Sequence, residues 1–282
     1  MQLSDFTLLT EELDHPETVI WGPDDRVWAG GEGGQIYAIT LDGAVEQVAD
    51  TAGAVLGLAF DGDGILYACD EGRCEVLRID PASGSVEVYA DRCEGVPMDE
   101  PNYLAFDAAG NLFVTDSGDW HERDGRIYRI TPDGAVGLWT RSASRYPNGC
   151  LVTPDGSWLY VVESSAPAVV RLAVRSDGSA GEPASVVDLP PLTVPDGIAL
   201  DTDGNLYIAC YRPDRIYRFT PGGSLEVLAD DPQAMTLNTP TNIAFVGSGR
   251  DIMAVANVGE WHILTADVGA TGVAPFLPRL AR

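Results

Sequence analysis

Six short apolar runs in this 282-residue chain are each led by a residue placed at the head of the run: Glu17, Gly57, Asn102, Asn148, Asp196 and Asn242. Five of the six carry a carboxylate or carboxamide. Such oxygens, gathered in one narrow space, would repel one another without a cation and suit a hard divalent ion such as Ca²⁺, Mg²⁺ or Mn²⁺. Turn chemistry alone explains an Asn or Asp at any one of these positions. It explains less well a whole set standing in register before apolar strands. No Cys or His occupies a leading position, which argues against a structural zinc site. The chain has no Gly-x-Ser-x-Gly nucleophile elbow and no His-Glu-x-x-His motif. All 17 basic residues are Arg. The absence of Lys excludes Schiff-base catalysis and a P-loop, both of which need a Lys amine.

The elements that must position these residues are written as a repeat. The clearest copy runs Val194-Pro195-Asp196-Gly197-Ile198-Ala199-Leu200, turns at Asp203-Gly204-Asn205, returns through Leu206 to Ala209, and continues through Arg215 to Phe219 to a Pro-Gly-Gly turn. Equivalent copies begin at Glu17, Gly57, Asn102, Asn148 and Asn242. Asn102 to Asn148 spans 46 residues, Asn148 to Asp196 spans 48, and Asp196 to Asn242 spans 46. A period of ~40–50 residues with about four strands per unit predicts a β-propeller. The expected fold is therefore all-β: six blades of four antiparallel strands, forming one domain over residues 1–282. Phe6 to Thr10 sits where an outer strand belongs but has no preceding copy. It is expected to complete the sixth blade and close the ring, covering an otherwise open edge. The tail from Ala270 to Arg282 is expected on the surface. In a propeller the head of each innermost strand lies at one channel mouth, and the next strand, running antiparallel, returns there. Asp70, Asp116, Glu163, Tyr211 and Asn257 are thus expected at the same mouth.

Composition limits the partners. The formal net charge of -26 makes nucleic acid an unsuitable partner. No apolar stretch approaches a membrane span, and residues 1–5 lack the pattern of a signal peptide, so a cytoplasmic location is expected. The five cysteines have no zinc-type spacing and are expected as free thiols. Oligomeric state is not legible.

The Pro16-Glu17, Pro147-Asn148-Gly149 and Pro195-Asp196-Gly197 segments, in the first, fourth and fifth units, make the chain resemble the SMP-30/gluconolactonase/luciferin-regenerating-enzyme family over essentially its whole length. The resemblance implies a six-bladed propeller holding one divalent metal through Glu17, Asn148 and Asp196, with Asn102 contacting substrate. Ca²⁺ is the first choice, with Mg²⁺, Mn²⁺, Zn²⁺ and Fe²⁺ as alternatives. It also implies lactone hydrolysis. Two positions depart from the family pattern: Glu100 stands where Arg is common, and Tyr103 where an acid is common. Loss of a guanidinium removes a bidentate grip on hydroxyl or carboxylate groups and makes an aldonolactone a weaker candidate.

The mechanism expected is metal-assisted hydrolysis of a lactone or related ester, with Asp196 as the first candidate base and Asp116 the second. Tyr103, Trp120, Tyr146 and Tyr211 give the expected pocket an aromatic side, although blade packing accounts for any one of them. His121, in Asp119-Trp120-His121-Glu122, is the histidine best placed to approach a ligand. Asn102, Asp116, Trp120, His121 and Tyr146 are thus the candidate substrate contacts. Two rival readings are a non-catalytic metal- or ligand-binding propeller and a lyase or condensing enzyme of the strictosidine-synthase type.

Overall fold

Alternation of apolar and polar residues in the repeat produces six four-stranded antiparallel sheets, each a blade, in a computed structural model that describes residues 1–280 other than Glu12. Blade one is Thr18–Trp21, Val27–Gly30, Gln35–Ile39 and Val45–Asp50. The innermost strands of blades two to six are Val55–Phe60, Pro101–Phe106, Pro147–Val152, Val194–Leu200 and Pro240–Val246. These six inner strands contact one another in cyclic order, the sixth against the first, so the ring is closed. Two short 3-10 turns are the only helical elements among the described residues. No helix among them is long and apolar enough to cross a membrane.

The ring follows from where the apolar side chains go. The second strands of blades one, two and three (Val27–Gly30, Leu66–Asp70 and Leu112–Asp116) are buried at every residue because each is covered on both faces. Outer strands such as Val45–Asp50 are mostly exposed. The core is accordingly divided into clusters that lie between neighbouring blades. Trp28, Ile36 and Ala38 of blade one pack on Leu58, Leu66 and Leu77 of blade two. Val27 and Ile39 of blade one pack on Ala254 and Ile263 of blade six. Each blade can bury its faces only with two neighbours in place, so closure and core formation are one event.

Thr7–Thr10 pairs antiparallel with His262–Ala266 and forms the outer strand of blade six, as expected from its position in the repeat. Phe6, just before it, is buried in the cluster between blades five and six. The tail is more than a surface coil. Gly272 N–H donates to Arg250 O at 2.8 Å, Val273 N–H donates to Leu200 O at 3.0 Å, and Pro278 O accepts from Gly62 N–H at 2.8 Å. It crosses the channel end opposite the heads of the inner strands and joins blades six, five and two; residues 281 and 282 lie outside the described residues. All five cysteines are free, and four of them are buried.

Removing residues 1–10 exposes the edge of His262–Ala266 and opens the cluster around Phe6. The truncated protein should melt well below the full chain, and Phe6→Ala alone should cost about 3 kcal/mol. Equal melting temperatures by circular dichroism would show that the N-terminal strand does not clasp the ring.

Candidate functional site

Neighbouring inner strands approach so closely at the channel mouth that a side chain is excluded just after the candidate ligands. A Cβ on Gly149 would lie 2.5 Å from Asp196 O, and one on Gly197 would lie 2.7 Å from Thr241 O. Glycine at these two places lets the strands converge and directs Asn148 and Asp196 toward one another. Hydroxyl groups from the preceding blade then fix the backbone at Glu17, Asn148 and Asp196. Thr115 Oγ1 donates to Asn148 O at 2.9 Å, and Ser117 Oγ donates to Pro147 O at 3.0 Å. Ser164 Oγ donates to Pro195 O at 2.6 Å, and Thr241 Oγ1 donates to Glu17 O at 2.8 Å. These four hydroxyls were not picked out from the sequence. Their signal was there: Asp116-Ser117 and Glu163-Ser164 both put Ser after the acid that ends a return strand.

The structure brings Glu17, Asn148 and Asp196 together. Asn148 and Asp196 are buried and Glu17 is half-buried. Burial holds the Glu17 carboxyl well above the usual carboxylate range, and the Asp196, Glu71 and Glu32 charges push the same way. Burial raises Asp196 to about 7, opposed by the Asn148 amide, which is within hydrogen-bonding reach. Among the described residues neither carboxylate is paired with a basic side chain. Two confined, uncompensated acids beside a neutral amide are a donor set that fits a hard divalent cation. No group of three or more His, Cys, Asp or Glu side chains placed to hold a metal occurs among the described residues; what the mouth offers is two carboxylates and one carboxamide.

The remaining candidates divide. Asn102 is buried at the same mouth. The Tyr103 phenol, pushed up to about 12 by burial, faces Asn242 and Thr18 and feels the Asp196 charge, so it lies under the acids. The Tyr146 hydroxyl donates to Glu100 Oε1, and Trp120 packs edge-on against the Tyr146 ring with centroids 4.9 Å apart. Burial raises Glu100 to about 7, against the Tyr146 hydrogen bond. Glu71 contributes to the raised values of Glu17, Glu100 and Tyr146, and so links the carboxylates around the mouth. Sequence reading did not select Glu71, and did not foresee the Glu100–Tyr146 bond.

Asp116 is enclosed, and its two oxygens accept the backbone N–H groups of Glu100 and Asp99 at 2.9 and 3.1 Å. Asp70 accepts from Ala54 N–H at 2.9 Å, Glu163 from Ser144 and Arg145 N–H at 3.0 Å, and Asn257 from Asn238 N–H at 3.2 Å. The return strands do reach this mouth. Their terminal side chains nonetheless serve the partly buried loops that lead into the inner strands, giving acceptors to N–H groups that the sheets leave unpaired. Tyr211 is exposed, with the Arg212 guanidinium 5.1 Å from its ring centroid. His121 is exposed, and its backbone N–H donates to Asp119. His15 instead contacts Asp14 and Glu32 at 2.8 and 3.1 Å.

Known proteins share this architecture. The model of the SMP-30/gluconolactonase/LRE-like region matches residues 15–258. A gluconolactonase from Zymomonas mobilis is 29% identical over 233 residues, 76% of this chain and 64% of the relative's length. The chain therefore spans less than two thirds of that curated relative. The structure of a gluconolactonase from Xanthomonas campestris superimposes with a TM-score of 0.79 at 21% identity, covering 95% of this chain and 89% of the other. Regucalcin from Agrobacterium tumefaciens, described as a calcium-binding protein, gives 0.79 at 19% identity, covering 98% and 97%. At these identities the two structures speak for the fold.

The raised acids predict a pH dependence. Both folded pKa values lie above the unfolded ones, so the native state binds more protons from about pH 4 upward, to about pH 7 in the case of Asp196. Stability of protein held in a chelator should therefore fall as pH rises through that window. Asp196→Asn removes one of the repelling charges and should flatten the fall, melting higher than wild type at pH 8. Added divalent cation should reverse the order. Thermal melts from pH 5 to 8 check this, and parallel curves for the two proteins would rule out the repulsion.

Proposed function

The chain belongs to the SMP-30/gluconolactonase/LRE-like family, and we propose that it hydrolyses a lactone or related ester with one divalent cation held by Glu17, Asn148 and Asp196. The observation that carries this reading is the pair of confined, unpaired carboxylates beside the Asn148 amide at the channel mouth. The gluconolactonase relative supports the reaction class, and the calcium-binding regucalcin fold supports Ca²⁺ as first choice. A cation bound there would supply Lewis acidity toward the ester carbonyl.

The chain's own residues do the rest. Asn102, buried at the mouth, offers an amide to orient the substrate. Asp196 accepts a proton as water forms its bond to the carbonyl carbon. It returns that proton to the ring oxygen as the C–O bond breaks, leaving a hydroxy acid. Asp116 is a poorer base because backbone N–H groups already occupy its oxygens. Trp120 and Tyr146 offer an aromatic flank to the acyl group. Glu32, Glu71 and Glu100 surround the mouth with further acids. A neutral lactone enters such a field more readily than an anionic one, and the carboxylate product is repelled from it. The substrate proposed is therefore a neutral lactone with an apolar side.

A panel of neutral and carboxylated lactones and aryl esters, assayed with and without chelator, tests this reading. Turnover should require a divalent cation and favour neutral substrates. Asp196→Asn should lower kcat by about 100-fold or more while the circular dichroism spectrum of the folded propeller is retained. Glu100→Gln should narrow the preference for neutral over anionic lactones. Undiminished turnover by Asp196→Asn, or by wild type in chelator, would overturn the mechanism.

A further inference from the structure

The far end of the channel is chemically unlike the carboxylate mouth. Three positions beyond the leading residue in blades one, three, four and five, and two beyond it in blades two and six, the inner strands place Ile20, Ala59, Ala105, Leu151, Ala199 and Ala244 in one layer. All six line a partly open pocket of about 170 Å³. Four alanines in six positions leave the channel wide at this level. Trp21, Phe60, Phe106 and Phe245 continue the wall outward, and Val273 to Leu277 of the tail run across the opening. The tail is held there by the hydrogen bonds of Gly272 and Val273 to blades six and five.

One charged residue lines this apolar space. Arg250 is half-buried beside the tail, and its Nε is buried without a hydrogen-bond partner. Among the described residues it forms no ion pair, although the chain carries 43 acidic residues against 17 basic ones. A buried guanidinium N–H without an acceptor is unfavourable unless a ligand supplies one. An apolar chamber with a lone guanidinium is complementary to an alkyl chain ending in a carboxylate. We propose that this chamber binds a small amphiphilic monocarboxylate, its chain in the alanine layer and its carboxylate on Arg250. The site is separate from the carboxylate mouth and does not depend on the lactonase reading.

Isothermal titration of the full chain with octanoate, octanol and octylamine tests the proposal. Octanoate should bind saturably, octanol more weakly, and octylamine not at all. Arg250→Gln should weaken octanoate about tenfold or more. Ala105→Phe should abolish binding by filling the alanine layer. Ala244→Leu, a smaller filling on another blade, should weaken it and serves as the second variant if Ala105→Phe melts below wild type. Chelator should leave octanoate affinity unchanged, whatever it does to turnover. Octanol binding as tightly as octanoate, Arg250→Gln binding like wild type, or loss of binding in chelator would each overturn the assignment, as would the absence of saturable binding.

Discussion

The constraint on which the site depends is the convergence of inner strands around a narrow channel. Six β-strands meeting at one axis crowd most tightly at their heads, where side chains of adjacent blades would overlap. At Gly149 and Gly197 the neighbouring backbone occupies the space a Cβ would take. The residue before each glycine is then carried into the mouth by backbone geometry and not by its own packing. Asn148 and Asp196 are positioned this way. Hydroxyl-to-carbonyl bonds from the preceding blade lock their peptides and that of Glu17. A propeller assembled from wedge-shaped interfaces therefore pre-organises an oxygen-rich cluster before any ligand is present. The electrostatic strain of that cluster is borne by the interblade cores.

That strain stands apart from the way the chain uses its acids elsewhere. Asp61, Asp107 and Asp201, at the ends of inner strands, each accept two N–H groups of the following turn through one oxygen. Asp231 accepts four from the loop ahead of blade six. These carboxylates exchange water for backbone donors and act as turn staples. Part of the strongly acidic composition is thus structural, repeated because the blade is repeated. Glu17 and Asp196 are different: their values are raised by burial with little hydrogen bonding to offset it. The same residue types serve as scaffold or as chemistry according to whether N–H groups reach them.

The fold was legible in the sequence because a propeller writes its period openly. Turns, return strands and leading residues recur at near-constant spacing, and the one strand out of place, Thr7–Thr10, was assignable by its position in the repeat. The candidate site was legible in part. Pro-Asx-Gly marks strand heads, so Asn148 and Asp196 could be placed at the mouth. The destination of a carboxylate at a strand end could not be read, because nothing local to Asp116 tells whether its oxygens face the channel or the backbone. Only the path of the Asp99–Glu100 loop decides that Asp116 faces backbone. Glu71 escaped notice for the converse reason: it follows a strand end in a loop whose direction no local pattern specifies. The tail also carried too little periodicity to reveal that it crosses a channel end.

The two ends of the channel now read as consequences of one asymmetry. Five of the six inner strands carry a polar residue at or near the head, Val55–Phe60 being the exception, and all six end in an apolar run such as Leu-Ala-Phe. Parallel arrangement of six such strands around an axis must therefore collect oxygens at one mouth and hydrocarbon at the other. The oxygen mouth is uncompensated unless a cation enters. The hydrocarbon mouth would expose a continuous apolar patch, a surface that soluble proteins seldom leave bare. The chain's own C-terminal segment crosses it, held by backbone hydrogen bonds to three blades. This cover is incomplete because the alanine layer leaves room beneath it and Arg250 brings a charge that no acid of the described chain answers. Polarity along a single repeated strand thus gives the molecule two chemically opposite channel ends, with Tyr103 lining the apolar side and feeling the Asp196 charge on the other.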